Sequence, residues 1–195
     1  MRFHYAGKYS GNPDDLPYRE HEPGAVMFKE ASDSKQLGKI TTIWSILLFL
    51  VLFVLSCIRA KDIFINYLGL FLYVLSIIPH ELLHAICFRE DVYMYQNLSH
   101  GMVFVTGAER MSKGRFIFKC MLPSIVLGFI PYAIFLIKPE LQWLGTFGML
   151  NIATAVGDYY NALNALQQMP DGAWAYMHKF NTYWYIPEKQ QKTNA

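Results

Sequence analysis

Four long apolar blocks constrain the fold of this chain more than any other feature of its sequence. They cover residues 40–58, 63–88, 116–137 and 141–166; short charged connectors follow the first and third blocks, and a longer one follows the second. A helix needs about 20 apolar residues to cross a bilayer, and each block approaches or exceeds that length. The pattern predicts an α-helical integral membrane protein with about four transmembrane helices, embedded in a lipid bilayer.

Polar segments flank these blocks at both ends of the chain. We expect residues 1–39 to form a polar cytosolic tail, residues 40–168 a transmembrane core, and residues 169–195 a cytosolic C-terminal tail. The first apolar block follows a long polar tail and is not followed by a small-residue cleavage pattern. It therefore predicts a signal anchor rather than a removable signal peptide.

The basic residues predict the orientation of the chain in the membrane. With four spans, the side that holds both termini carries fourteen of the seventeen lysines and arginines, and the other side carries three. Basic segments resist translocation and stay in the cytosol. We therefore expect a multi-pass protein of the cell membrane with both termini in the cytosol. The net charge of +2, without a basic stripe, argues against a nucleic-acid partner.

The second apolar block contains the sequence PHELLH, in which His80, Glu81 and His84 form an HExxH motif. Residues four apart lie on one face of a helix, so both imidazoles can bind one Zn²⁺ while the glutamate acts as general base. Ionisable side chains in an apolar helix cost free energy and usually mark a site. The alternative is that they only hydrogen-bond to neighbouring helices.

A catalytic zinc site needs a third protein ligand, and Asp158 is the main candidate. Besides Glu81, it is the only carboxylate inside the four apolar blocks. His80 and Asp158 each lie 17 residues from the external end of their block, which places both at a depth of roughly 25 Å. One alternative is that Asp158 is only a turn carboxylate after Gly157. Another is that His100 is the ligand.

His100 follows a segment of β-prone residues. The stretch DVYMYQNLSHGMVFV predicts a short β-hairpin between the second and third spans, with residues 97–101 as its turn. A histidine on such a turn is more often exposed than metal-bound, and contact with substrate is a further alternative. The hairpin is also a candidate for binding an extended substrate by strand addition.

Cysteines and amides supply the other candidate polar groups of the core. Cys57, Cys87 and Cys120 are odd in number and lack CxxC spacing, which predicts reduced thiols. Cys87 follows His84 by three residues and could approach a metal, but burial as a small packing residue is the stronger interpretation. Asn151 and Asn161 are expected near Asp158, where they orient the carboxylate, hold substrate or join neighbouring helices.

These motifs resemble those of the membrane zincins of bacteria, which are related to the site-2 class of intramembrane metalloproteases. The resemblance rests on PHELLH, on GDYYN and on MPDGAWAYMHKFNTYWYIP, and covers residues 63–187. It implies that His80, His84 and Asp158 bind zinc and that Glu81 is the base. Site-2 proteases have glycine after the aspartate, whereas Asp158 is followed by tyrosine; Asp171-Gly172 supplies such a pair only in the polar tail.

The expected function is hydrolysis of peptide bonds in a protein or peptide substrate by a membrane-embedded zinc metalloprotease. Three alternatives of another class remain open: a structural zinc site, a small-solute transporter, and an inactive protease-like binding module. A structural site would need four protein ligands and no general base. Transport is less attractive because no inverted repeat is visible.

Overall fold

In its described residues the protein combines long apolar helices with two small β-sheets. The computed structural model describes residues 1–31, 33–62, 65–97 and 102–187. In chain order the elements are β1 (Arg2–Lys8), β2 (Val26–Met27), α1 (Ser34–Ala60), α2 (Tyr67–Ala85), β3 (Asp91–Asn97), β4 (Met102–Thr106), β5 (Met111–Ser112), α3 (Lys113–Pro123), a π-helical segment (Ser124–Phe129), α4 (Ile130–Ile137), α5 (Gln142–Thr154), α6 (Val156–Gln168), β6 (Trp174–His178) and β7 (Asn181–Tyr185).

Three helical segments of the described chain are long and apolar enough to cross a membrane. They are Lys35–Ala60, Tyr67–Ala85 and Lys113–Ile137, and the third runs through α3, the π-helical segment and α4. Only 6% of the most apolar window of the first segment is buried in the protein. A helix that exposes so many large apolar side chains needs an apolar surrounding, so these segments indicate a membrane protein.

The prediction of a fourth continuous helix over residues 141–166 is wrong. The block forms two 13-residue helices, α5 and α6, and Ala155 between them has φ −82° and ψ 18°. The N–H of Asp158 donates to the carbonyl of Ala155, which starts the new helix. Between Leu141 and Gly157 the block contains only scattered polar side chains and no charged one, so its composition does not reveal the break.

The chain divides into two units, of which one contains Ser32–His80 and Met121–Tyr160. Its core is formed by Tyr132, Phe135, Met149 and Ile152. A side chain at Gly148 would collide with the backbone of α4, since its Cβ would lie 2.7 Å from the amide nitrogen of Tyr132. The glycine therefore allows α4 and α5 to pack backbone against backbone, as small residues commonly do between membrane helices.

The other unit contains Met1–Ala31, Glu81–Cys120 and Asn161–Ala195. Its first sheet has the order β1-β3-β4, in which β1 is parallel to β3 and β4 is antiparallel to it. The predicted hairpin is thus present as β3 and β4, while His100 in its turn lies outside the described residues. The sheet is larger than expected because the N-terminal segment adds β1.

The second sheet of this unit has the order β2-β7-β6-β5, with all neighbours antiparallel. Val26 and Met27 pair with Trp184 and Tyr183 of the C-terminal segment. Met111, which precedes the third long helix, pairs with Ala175. The N-terminal segment, the connector before α3 and the C-terminal segment therefore meet in one sheet.

Candidate metal centre

The three residues of the HExxH motif lie together on α2, which continues to Ala85. Each of His80, Glu81 and His84 offers one ligand atom, and these atoms lie within 4.8 Å of one another. The spacing follows from the 3.6-residue period of the helix, which puts residues four apart on one face. One turn of α2 thus presents two imidazoles and a carboxylate side by side.

Asp158 lies in the first turn of α6 and meets the first motif histidine. Its Oδ2 is 3.1 Å from Nε2 of His80, and each of the two side chains is 17% exposed. The partial positive charge of a helix N-terminus stabilises a carboxylate in the first turn. The structure therefore brings together the two residues that the sequence placed at equal depth.

The ring of His84 is fixed by a backbone carbonyl. Its Nδ1 lies 2.9 Å from the carbonyl oxygen of Lys119 on α3, and the residue is buried. Because a carbonyl only accepts, Nδ1 carries the proton in this contact, and a neutral ring then has its lone pair on Nε2. Metal-binding histidines usually donate their other N–H in this way.

Glu81 is held by the edge of the first sheet. The backbone N–H of Val105 donates to Oε2 of Glu81 across 2.8 Å. β4 is an edge strand of its sheet, and the N–H of Val105 points away from its neighbour β3 toward the glutamate. The candidate general base and the predicted substrate-binding hairpin are therefore in direct contact.

An ion pair with a buried carboxylate lies at the C-terminal end of α2. Arg115 Nη1 is 2.6 Å from Oε1 of Glu109, whose side chain is 4% exposed. Burial alone would raise the pKa of Glu109, but hydrogen bonds from the amides of Glu90 and Arg89, together with Arg115, outweigh it and lower that pKa. Neither residue belongs to an apolar block or a motif, so the sequence alone does not indicate this pair.

The remaining candidates have other surroundings. Asn151 is buried; its Oδ1 accepts from Ser76 and its Nδ2 donates to Phe147, so it joins α2 to α5 as the interhelical alternative expected. The thiol of Cys87 donates to the carbonyl of Leu83, and burial raises the pKa of this thiol. Cys87 is not part of the metal-ligand cluster found among the described residues.

The donor set fits zinc better than magnesium or calcium. Imidazole nitrogens and a carboxylate are ligands that zinc accepts, whereas magnesium and calcium prefer oxygen donors throughout. Because Nδ1 of His84 contacts the Lys119 carbonyl, Nε2 is the nitrogen that a metal would use. The close approach of His80 to Asp158 joins an imidazole to a carboxylate, and both can ligate the same ion.

Comparison with known families gives a match over residues 71–174, and the family model carries the description "Putative zincin peptidase". That range includes the HExxH motif, the hairpin and Asp158, and it covers more than half of the chain. No curated protein and no solved structure matches the chain.

Proposed function

Since the chain belongs to the family described as "Putative zincin peptidase", we propose that it is a membrane-embedded zinc metallopeptidase of the HExxH type. The family indicates a zinc metallopeptidase; the membrane setting, the ligands and the mechanism are our proposal. The observation that carries it is the one-turn cluster of His80, Glu81 and His84 together with the contact of Asp158 to His80.

In this proposal His80, His84 and Asp158 bind the zinc ion, and three protein ligands leave a position for water and substrate. A bound zinc ion would act as a Lewis acid, which lowers the pKa of water and polarises the scissile carbonyl. Glu81 accepts a proton from the attacking water on its carboxylate. It then donates that proton to the amine nitrogen as the C–N bond breaks, which is general base followed by general acid catalysis.

The proposed substrate is an extended segment of a protein or peptide, either soluble or anchored in the membrane. β4 is an edge strand whose Val105 N–H donates to Glu81, and its remaining outward backbone groups would offer hydrogen bonds to a segment that adds to the sheet. Strand addition at this edge would hold a peptide bond beside the general base. A relation to site-2 proteases belongs to the same proposal, since it rests on the HExxH motif and on Asp158.

We also propose that both termini lie in the cytosol, although the described part of the chain contains only three helical segments long and apolar enough to cross a membrane. The sheet pairing supports this topology, because β2 pairs with β7 and β5 pairs with β6. β5 and β6 are separated by the third long helix and by α5 and α6. The chain can return to the same side of the membrane only if α5 and α6 together supply the fourth crossing.

Zinc content and peptide cleavage of the purified full chain in detergent test the proposal. Wild type is expected to bind about one zinc and to cleave members of a quenched fluorescent peptide library. Glu81→Gln keeps an oxygen that accepts from the Val105 amide, and Glu81 is not one of the proposed ligands, so this variant should retain zinc. Because an amide cannot act as a general base, its cleavage rate should fall about 10²-fold or more. His84→Ala should lose zinc. The proposal that the protein is a zinc peptidase would be refuted if the wild type bound no zinc, or if Glu81→Gln cleaved peptides as fast as the wild type.

A further inference from the structure

The C-terminal end of α2 is tied to α3 by one guanidinium group. After Ala85 the chain leaves the helix, and the carbonyl of Cys87 accepts from Nε and Nη2 of Arg115 at 3.1 and 2.6 Å. The third nitrogen of Arg115, Nη1, pairs with Glu109 at 2.6 Å. A planar guanidinium that uses all three nitrogens fixes both the distance and the angle between the groups it joins.

Glu109 extends this connection to the segment that follows α2. Its Oε2 accepts from the backbone amides of Arg89 and Glu90 at 2.5 and 3.0 Å. The carboxylate is buried, so these bonds are poorly screened by solvent. The turn from Cys87 to Glu90 is thus held from both sides, by the guanidinium at its carbonyl and by the carboxylate at its amides.

The same helix α3 carries the carbonyl that fixes His84. Arg115 and Lys119 are four residues apart, so they lie on one face of α3, and the Lys119 carbonyl accepts from Nδ1 of His84. The Lys119 ammonium also lies over the rings of Phe116 and Phe88, at 4.6 and 5.4 Å from their centroids. Contacts one turn apart thus set the position of α3 along the end of α2.

We propose that Arg115 and Glu109 are positioning residues for the metal site: they hold α3 in the register at which the Lys119 carbonyl orients the imidazole of His84. The inference rests on the proposed function, because it takes His84 to be a zinc ligand. Neither Arg115 nor Glu109 belongs to the metal-ligand cluster found among the described residues. Their effect passes through the Cys87 carbonyl, α3 and the Nδ1 hydrogen bond of His84.

Conservative variants are needed because removing one partner of a buried pair leaves an uncompensated charge and can unfold the protein. Arg115→Lys keeps the charge beside Glu109 but cannot make three directed bonds from one planar group. Glu109→Gln keeps an acceptor for the amides of Arg89 and Glu90. Arg110→Gln is the matched control, since Arg110 pairs with Glu22 and hydrogen-bonds to Tyr185.

The experiment measures zinc affinity by competition with a chelator, the unfolding temperature of the metal-free proteins, and the visible absorption spectrum after loading with Co²⁺. Loss of a partner that orients a metal-binding histidine lowers metal affinity about 10- to 100-fold. We expect a loss of at least about tenfold in Arg115→Lys and in Glu109→Gln, with a changed Co²⁺ spectrum. Arg110→Gln should match wild type in affinity and spectrum.

Wild-type affinity and an unchanged Co²⁺ spectrum in both variants would overturn the positioning role while leaving the proposed peptidase intact. The same loss of affinity in Arg110→Gln would also overturn it, because the effect would then be a general loss of stability. Failure of the peptidase proposal looks different: wild type itself would bind no zinc, or would bind it unaffected by His84→Ala. Either of those results would also refute the positioning role of Arg115 and Glu109.

Discussion

His80 and Asp158 are in contact, with 3.1 Å between Nε2 and Oδ2, although 78 residues separate them in the chain. The contact joins α2 to the first turn of α6, where the helix restarts after Ala155. A continuous fourth helix would have carried Asp158 in its interior. The break places the carboxylate at a helix N-terminus, where its negative charge is stabilised.

Replacing Asp158 by Asn should weaken zinc binding at least about tenfold, because a neutral amide is a poorer ligand than a carboxylate of the same size. The measurement is the zinc content after dialysis against a weak chelator. Asp171→Asn is the control, since Asp171 begins the aspartate-glycine pair of the C-terminal segment and is exposed. Loss of zinc in Asp171→Asn with retention in Asp158→Asn would show that Asp171, and not Asp158, is the third ligand.

Replacing Val105 by Pro should lower the cleavage rate about 10- to 100-fold while zinc content stays unchanged. Proline removes the N–H that donates to Glu81, and a hydrogen bond to a charged group contributes about 1.5–3 kcal/mol. The pairing of β4 with β3 should survive, because this N–H points away from β3. Val105→Ala keeps the N–H and should cleave like wild type; equal loss in both variants would make the side chain, not the amide, responsible.

The parts of the fold and site that could be predicted are those encoded locally. The long apolar runs identify three helices, the HExxH spacing identifies one face of α2, and counting residues along two blocks brings Asp158 to the depth of His80. Each of these inferences uses only the period and rise of a helix.

The remaining features depend on partners far apart in sequence. β1 pairs with β3, and Arg2 bonds to Asp91 across 89 residues, which no local pattern reveals. The contacts of Glu81 and His84 use the backbone N–H of Val105 and the carbonyl of Lys119. Every residue other than proline has these backbone groups, so side-chain identity cannot indicate which ones are used.

Two glutamates outside the membrane segments should make opposite contributions to stability as pH changes. The pKa of Glu109 is lowered, so its stabilisation is present above the unfolded value of about 4.3 and is lost as pH falls through the folded pKa. Burial raises the pKa of Glu30, and hydrogen bonds from Thr182 and Asn181 offset only part of this. Stability from Glu30 is therefore greatest at low pH and is lost as pH rises through its folded pKa.

Thermal unfolding of Glu109→Gln and Glu30→Gln between pH 3 and pH 7 tests these signs. At pH 7, Glu109→Gln should unfold at a lower temperature than wild type, and the difference should shrink toward pH 3. Glu30→Gln keeps an acceptor for the Thr182 amide and should unfold at a higher temperature than wild type at pH 7, with the gain disappearing on acidification. The same pH dependence in both variants would contradict the assigned shifts.

Cysteine labelling in intact cells tests whether α5 and α6 together cross the membrane. Cys57, Cys87 and Cys120 are first replaced by serine. Single cysteines are then introduced at Lys8, Lys61 or Asp171, three residues that are exposed in the protein. Pairing of β2 with β7 and of β5 with β6 requires positions 8 and 171 to share one side. We expect a membrane-impermeant maleimide to label only position 61 from outside, and to label positions 8 and 171 only after permeabilisation. Labelling of position 171 from outside would mean that the chain crosses three times, and it would be incompatible with the sheet that joins the two ends.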